Sequence, residues 1–188
     1  MPQPRPETTL PAAAVLLNAT IWGLAWWPLK ALYHLGLHPL WTTAVVLGSA
    51  LVLLSMLRPH SLLLLVRHAR LWPLALVAGM TNLGFTWSVT IGDVVRVTLL
   101  FYLMPVWSIG LAWLLLRERP SRAALLRLML ALTGVVLVLW RPGTALPIPQ
   151  DLADWLAIMG GFFLALTNVL LRRWAHLPEE GRAVAMFI

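Results

Sequence analysis

Residues 94–120 read VVRVTLLFYLMPVWSIGLAWLLLRERP, from Val94 to Pro120. Up to Leu116 the run is apolar except for Arg96 and a few neutral polar side chains, and then Arg117, Glu118, Arg119 and Pro120 end it. A helix rises about 1.5 Å per residue, so 94–116 is long enough to cross a hydrocarbon layer of about 30 Å. No alternation of the kind a barrel strand needs runs through it. A helix is then the one way to pair its backbone groups inside lipid.

The same reading applies on both sides of this run. Five further segments qualify, at about Ala12–Leu32, Pro39–Leu57, Leu71–Thr90, Ala123–Trp140 and Leu152–Leu171. The expected fold class is therefore an all-α polytopic membrane protein, a bundle of about six transmembrane helices. A short apolar run from Arg182 to Ile188 reads as the stub of a truncated seventh helix.

Composition agrees. Of 188 residues, 60% are hydrophobic and 11% charged, with a mean hydropathy of +0.82. A soluble domain carries about 25% charged residues. The net charge of +7 does not indicate nucleic acid, because the arginines punctuate span ends and form no basic stripe. With no cysteine, thiolate metal sites, disulfides and thiol chemistry are excluded.

The basic residues set an expected orientation. With six spans, one side holds Arg5, Arg58, Arg67, Arg70, Arg117, Arg119, Arg122, Arg127, Arg172, Arg173 and Arg182, and the other only Lys30, Arg96 and Arg141. The richer side is expected to be cytoplasmic, with the N-terminal segment 1–11 on it, in an inner or plasma membrane.

Three stretches carry a family resemblance. Ile21-Trp22-Gly23 is followed by Pro28-Leu29-Lys30, and Leu103-Met104-Pro105-Val106-Trp107 precedes Leu114-Leu115-Leu116-Arg117-Glu118-Arg119-Pro120 by a fixed interval. The third is Gly134-Val135-Val136-Leu137-Val138-Leu139. In these the chain resembles the EamA-like family of the drug/metabolite transporter superfamily. The pair Pro105 and Glu118 is the most specific element. The resemblance implies part of a ten-helix inverted-repeat carrier of small metabolites or drugs. Residues 12–142 would form the first five-helix repeat and 152–188 the start of the second. Where such relatives commonly carry an arginine early in the second helix, this chain reads Leu40-Trp41-Thr42-Thr43.

Polar and aromatic residues at membrane depth are the substrate-pathway candidates. In the first span Asn18, Trp22 and Trp26 recur every four residues, and Lys30 continues the stripe. Amphipathic rings beside a cation suit carboxylates, aromatic rings or organic cations. In the third span Asn82 and Thr86 follow Ala75 and Gly79, small residues that suit close packing. Tyr102, Pro105 and Trp107 stand in the fourth span, where Pro105 obstructs the hydrogen bond to the carbonyl of residue 101 and should kink the helix. Asn168 shares a face of the sixth span with Gly161, Ala165 and Arg172. Arg117, Glu118 and Arg119 read as cytoplasmic anchors or as a gate.

No metal site, cofactor site or catalytic constellation is expected. His34 and His38 are separated by helix breakers, and no phosphate-binding glycine loop is present. The expected partners are a small-molecule substrate and the lipid bilayer. An inactive fragment or membrane interaction protein, and a half-size carrier acting as a homodimer, are the alternatives to a two-repeat carrier.

Overall fold

A computed structural model describes residues 9–57, 59–140 and 148–187. Arg5 and most of the N-terminal segment, Arg58, Arg141 and the boundary at 142, and Ile188 lie outside the described residues. The described chain is all helix, and no strand occurs in it.

Among the described residues six helical spans are long and apolar enough to cross a membrane: Ala12–His34, Pro39–Leu57, Leu71–Ile91, Val94–Leu116, Arg122–Leu139 and Leu152–Arg173. Each ends within two residues of the bounds expected. Two are broken. The first divides into α1 (Thr9–Leu24) and α2 (Trp26–His34), and the fourth into α6 (Val94–Phe101) and α7 (Met104–Leu111). Both breaks have one cause. Pro28 and Pro105 each lack an N–H and crowd the carbonyl four residues back, which is that of Leu24 and of Phe101, where α1 and α6 end. Beyond α7 a π turn, Ala112–Leu116, stops at Arg117 in the left-handed conformation (φ 57°).

The unbroken spans are α3 (Pro39–Leu57), α5 (Leu71–Ile91), α8 (Arg122–Leu139) and α9 (Leu152–Arg173). Side-chain caps fix several starts. Asp93 accepts from the Arg96 amide (2.9 Å), Ser121 from the Ala124 amide (3.2 Å) and Asp151 from the Asp154 amide (2.9 Å). Within the spans most hydroxyls bond back to their own helix. Thr81 donates to the Val77 carbonyl, Thr90 to Thr86 and Thr167 to Phe163, so these groups need no partner across the bundle.

Two short helices were not expected as such. Residues 59–67 form α4 (Pro59–Arg67) where the sequence suggested only a connection, and α10 (Glu179–Ala185) begins before the anticipated stub. α10 packs on α4 and α5. Gly181 lies so close that a methyl group there would meet Leu71 Cδ1 at 2.8 Å, and Val184 and Ala185 join Leu65, Leu71, Leu74 and Ala75 in one buried cluster.

The centre of the molecule is the contact of α5 with α9, with α6 and α7 lying along α9. Apolar burial cannot select partners in lipid, so close backbone approach must. The approach occurs at glycine. A methyl group on Gly84 would fall 2.9 Å from Gly160 Cα and 2.9 Å from the Leu156 carbonyl oxygen. Around it Val89, Val97, Leu100, Phe101, Ala153 and Ala157 form the second buried cluster. By contrast α8 has no buried residue, and the described side chains of α1 are exposed, so both turn much apolar surface outward.

Candidate substrate pathway

Pro105 has a consequence beyond the kink. It frees the Phe101 carbonyl, and that oxygen is seated against Gly161 of α9, where any Cβ would collide with it. The Phe101 ring covers the neighbouring glycine, 3.2 Å from where a Gly160 Cβ would stand. The break in the fourth span and the glycine pair of α9 are thus one packing unit. Pro105→Ala should restore the hydrogen bond to Phe101, straighten the span and pull this carbonyl away from Gly161. The expected result is an unchanged or raised melting temperature in detergent with activity reduced about tenfold or more; unchanged activity would count against a working role for the break.

Phe101 also belongs to a row of rings. Trp22 meets Phe85 edge-on (centroids 5.9 Å, 66°), Phe85 meets Phe101 (4.7 Å, 56°), and Phe101 meets Tyr102 (6.2 Å, 60°). These separations and tilts are the favourable edge and tilted geometries of aromatic pairs. The row joins spans one, three and four and lies over the Gly84–Gly160 crossing. Its two ends are open, with Trp22 49% and Tyr102 61% exposed.

The other candidates fall into separate places. Asn18 and Trp26 are exposed on the first span. Asn82 is half-buried and donates to the Ala78 carbonyl of its own helix (3.1 Å), while half-buried Thr86 lends its carbonyl to Thr90. Trp107 lies on the seam of α7 with α9, edge-on to Phe162 (5.6 Å, 84°), and its buried indole N–H has no partner among the described residues. Asn168 is exposed on the same seam and reaches only the Met104 sulfur, at 3.9 Å. Among the described residues no hydrogen bond joins Asn18, Asn82 and Asn168. Trp22 and Tyr102 are brought into one row; Pro105, Trp107 and Asn168 line the adjoining seam.

Polar contacts mark both ends of this arrangement. At one end Arg96 Nε donates to both Asp154 oxygens (2.9 Å each) and Nη2 to Oδ2 (2.8 Å), while the Gln150 amide donates to Oδ2 (2.9 Å). Asp154 is 1% exposed, and Arg96 also holds the Ile148 carbonyl. Nearby, Lys30 Nζ donates to the Gly92 carbonyl at 2.7 Å, which ties the first span to the turn between spans three and four. At the other end Arg172 Nη2 donates to Glu118 Oε1 (2.7 Å) and Oε2 (2.9 Å), with side chains 60% and 50% exposed. Arg117 and Arg119, beside Glu118, are exposed.

Sequence reasoning missed Phe85, Phe101, Arg96 and Asp154. The four-residue offset from Pro105 pointed to Phe101. The spacing Asp151-x-x-Asp154 carried a helix-start signal in which the second carboxylate reaches back to the preceding amide. Nothing in the sequence paired Arg96 with it. Among the described residues no group of three His, Asp or Glu side chains is placed to hold a metal ion.

Six apolar spans, breaks at prolines and hydroxyls satisfied within their helices define a multi-pass helical membrane protein. Residues 9–140 match the model of the EamA-like transporter family. The chain belongs to that family, which is one of membrane transporters and not of enzymes. No curated protein and no solved structure matches it.

Proposed function

We propose that the chain moves small metabolites or drugs outward across the cell membrane by alternating access, with its N-terminus and the Glu118–Arg172 end in the cytoplasm. Residues 152–187 then begin a second repeat, and the substrate is handled along the row Trp22–Phe85–Phe101–Tyr102 and the seam of Trp107 and Asn168. Ring faces of this kind favour planar aromatic or cationic solutes. The eleven-to-three distribution of Lys and Arg supports the orientation.

One observation carries the mechanism. The fourth span is tied to α9 at both ends by ion pairs of unequal burial, with a break between them. The tied points are 22 residues apart on the fourth span and 18 apart on α9. As straight helices these would be about 33 Å and about 27 Å long, so the fourth span carries slack, taken up at Tyr102–Leu103 and in the π turn. A buried, fully bonded pair is costly to open. An exposed one contributes only about 0–1 kcal/mol. In this reading α6 stays pinned to α9, and the segment from Met104 to Leu116 swings when Glu118 releases Arg172.

The test is efflux of a panel of fluorescent aromatic amines and organic cations from cells making the full chain. Trp22→Ala and Tyr102→Ala should each lower efflux at least fivefold with normal membrane levels. Glu118→Gln should leave thermal stability within about 1 kcal/mol of the parent while changing the transport rate several-fold. Efflux equal to that of cells lacking the protein across the panel, or untouched by all three substitutions, would overturn the reading.

A further inference from the structure

Two hollows follow one another along the start of α5, at the arginine-rich end. The first, about 280 Å³, is lined among the described residues by His68, Ala69, Arg70 and Leu177. The second, about 260 Å³, is lined by Trp72, Ala75, Leu76, Gly79 and Met80. They share one stripe. The Trp72 amide donates to the Ala69 carbonyl (3.3 Å), so Ala69 and Trp72 stand on successive turns, and Leu76 and Met80 continue the line.

The two hollows differ in chemistry. The first is basic. Arg70 Nη1 donates to His176 Nε2 beside it at 3.5 Å, and among the described residues no carboxylate lines the hollow. His68 is engaged through Nδ1 with the Leu64 carbonyl (3.1 Å), and its Nε2 has no hydrogen bond among the described residues. The second hollow is mostly apolar, and from Trp72 to Met80 it runs about 12 Å along the helix. Beside it α4 buries Leu65 and carries His60 and Arg67 near its two ends, a short amphipathic helix suited to a membrane surface. Trp72, 55% exposed, stands where basic and apolar portions meet, the level at which tryptophan favours the lipid interface.

We propose that the two hollows form one binding site for an anionic phospholipid. Arg70 holds the phosphate together with His68 in its imidazolium form, which donates from both ring nitrogens, and one acyl chain lies in the furrow from Trp72 to Met80. A phosphate-bearing head and an apolar tail match the order of the hollows along α5. A soluble anion would use only the first.

The full chain, purified in mild detergent, is offered phosphatidylglycerol or phosphatidylcholine, and retained lipid is counted by native mass spectrometry. Phosphatidylglycerol should be retained in preference. Arg70→Gln should lower that preference about fivefold, the effect of roughly one interfacial basic residue, and His68→Gln should lower it further. Gly79→Leu, which fills the furrow, should reduce retention of both lipids. Arg173→Gln, a basic residue at the same end that does not line the hollow, should leave the preference unchanged. Equal retention of the two lipids, or an equal loss with Arg173→Gln and Arg70→Gln, would mean diffuse attraction and overturn the site. Undiminished retention in Gly79→Leu, or release of phosphatidylglycerol by millimolar inorganic phosphate, would do the same by removing the acyl-chain half.

Discussion

Gly84→Leu is expected to destabilise the protein by about 3 kcal/mol or more, the upper range for forcing extra volume into a packed contact. The added Cβ alone would stand 2.9 Å from Gly160 Cα and from the Leu156 carbonyl, both backbone atoms that no rotamer change can move. The side chain must therefore part α5 from α9, and with them the ground on which Phe85 and Phe101 rest. Gly134→Leu supplies the control. Gly134 lies in α8 with nothing within 4 Å of its would-be Cβ, so the same exchange should be neutral or slightly stabilising through helix propensity. Denaturation of both variants in mixed micelles, followed by circular dichroism, measures the difference. Equal stability of the two would mean that α5 and α9 do not cross at these glycines.

The second large effect is expected at Asp154. Asp154→Ala removes the carboxylate that accepts from Arg96 and from the Gln150 amide at a site 1% exposed. Breaking a buried pair from one side costs about 3–5 kcal/mol, because the other charge is left uncompensated. Arg96 is less buried than its partner, so the lower figure applies. Replacing both residues, Arg96→Met with Asp154→Leu, should recover most of the stability, since apolar side chains of similar volume fit such sites. Thermal melts of the single and double variants separate the ion pair from simple packing. If the double variant is as unstable as Asp154→Ala, the loss does not come from an uncompensated Arg96 charge but from the hydrogen bonds to the Gln150 amide and the Ile148 carbonyl.

Much of this architecture was legible in the amino-acid sequence, for reasons that can be assigned. A run such as 94–116 is unmistakable because lipid requires length and apolarity together. Pro105 announced a break four residues upstream, since the chemistry of the missing N–H is local, whereas the same signal at Pro28 went unread and the first span was expected to be continuous. α4 was not legible because residues 59–67 are too short for a span, and the apolar run from Leu62 to Val66 is too short to show a helical period. Partner choice was also hidden. Every span is apolar, so hydropathy says nothing of which faces meet, and a glycine such as Gly84 looks the same in sequence as Gly134. The candidate row shows the same limit. Trp22 and Tyr102 stand out as amphipathic rings at depth, but Phe85 and Phe101, which join them, read as ordinary apolar residues. The stripe Asn18–Trp22–Trp26 is divided by the break between α1 and α2, and of the three only Trp22 has a ring partner within the described chain.

The central claim is that one end of the contact between the fourth span and α9 stays closed while the other opens. It is tested most directly by electron spin–spin distances in lipid nanodiscs, for which a chain without native cysteine is well suited. One labelled pair replaces exposed Val95 and Trp155 near Arg96–Asp154, and a second replaces exposed Leu114 and Arg173 near Glu118–Arg172. The account predicts a single narrow distance for the first pair and two populations for the second, with Glu118→Gln enriching the longer one. Two populations at Val95–Trp155, or one unchanging distance at Leu114–Arg173, would contradict it.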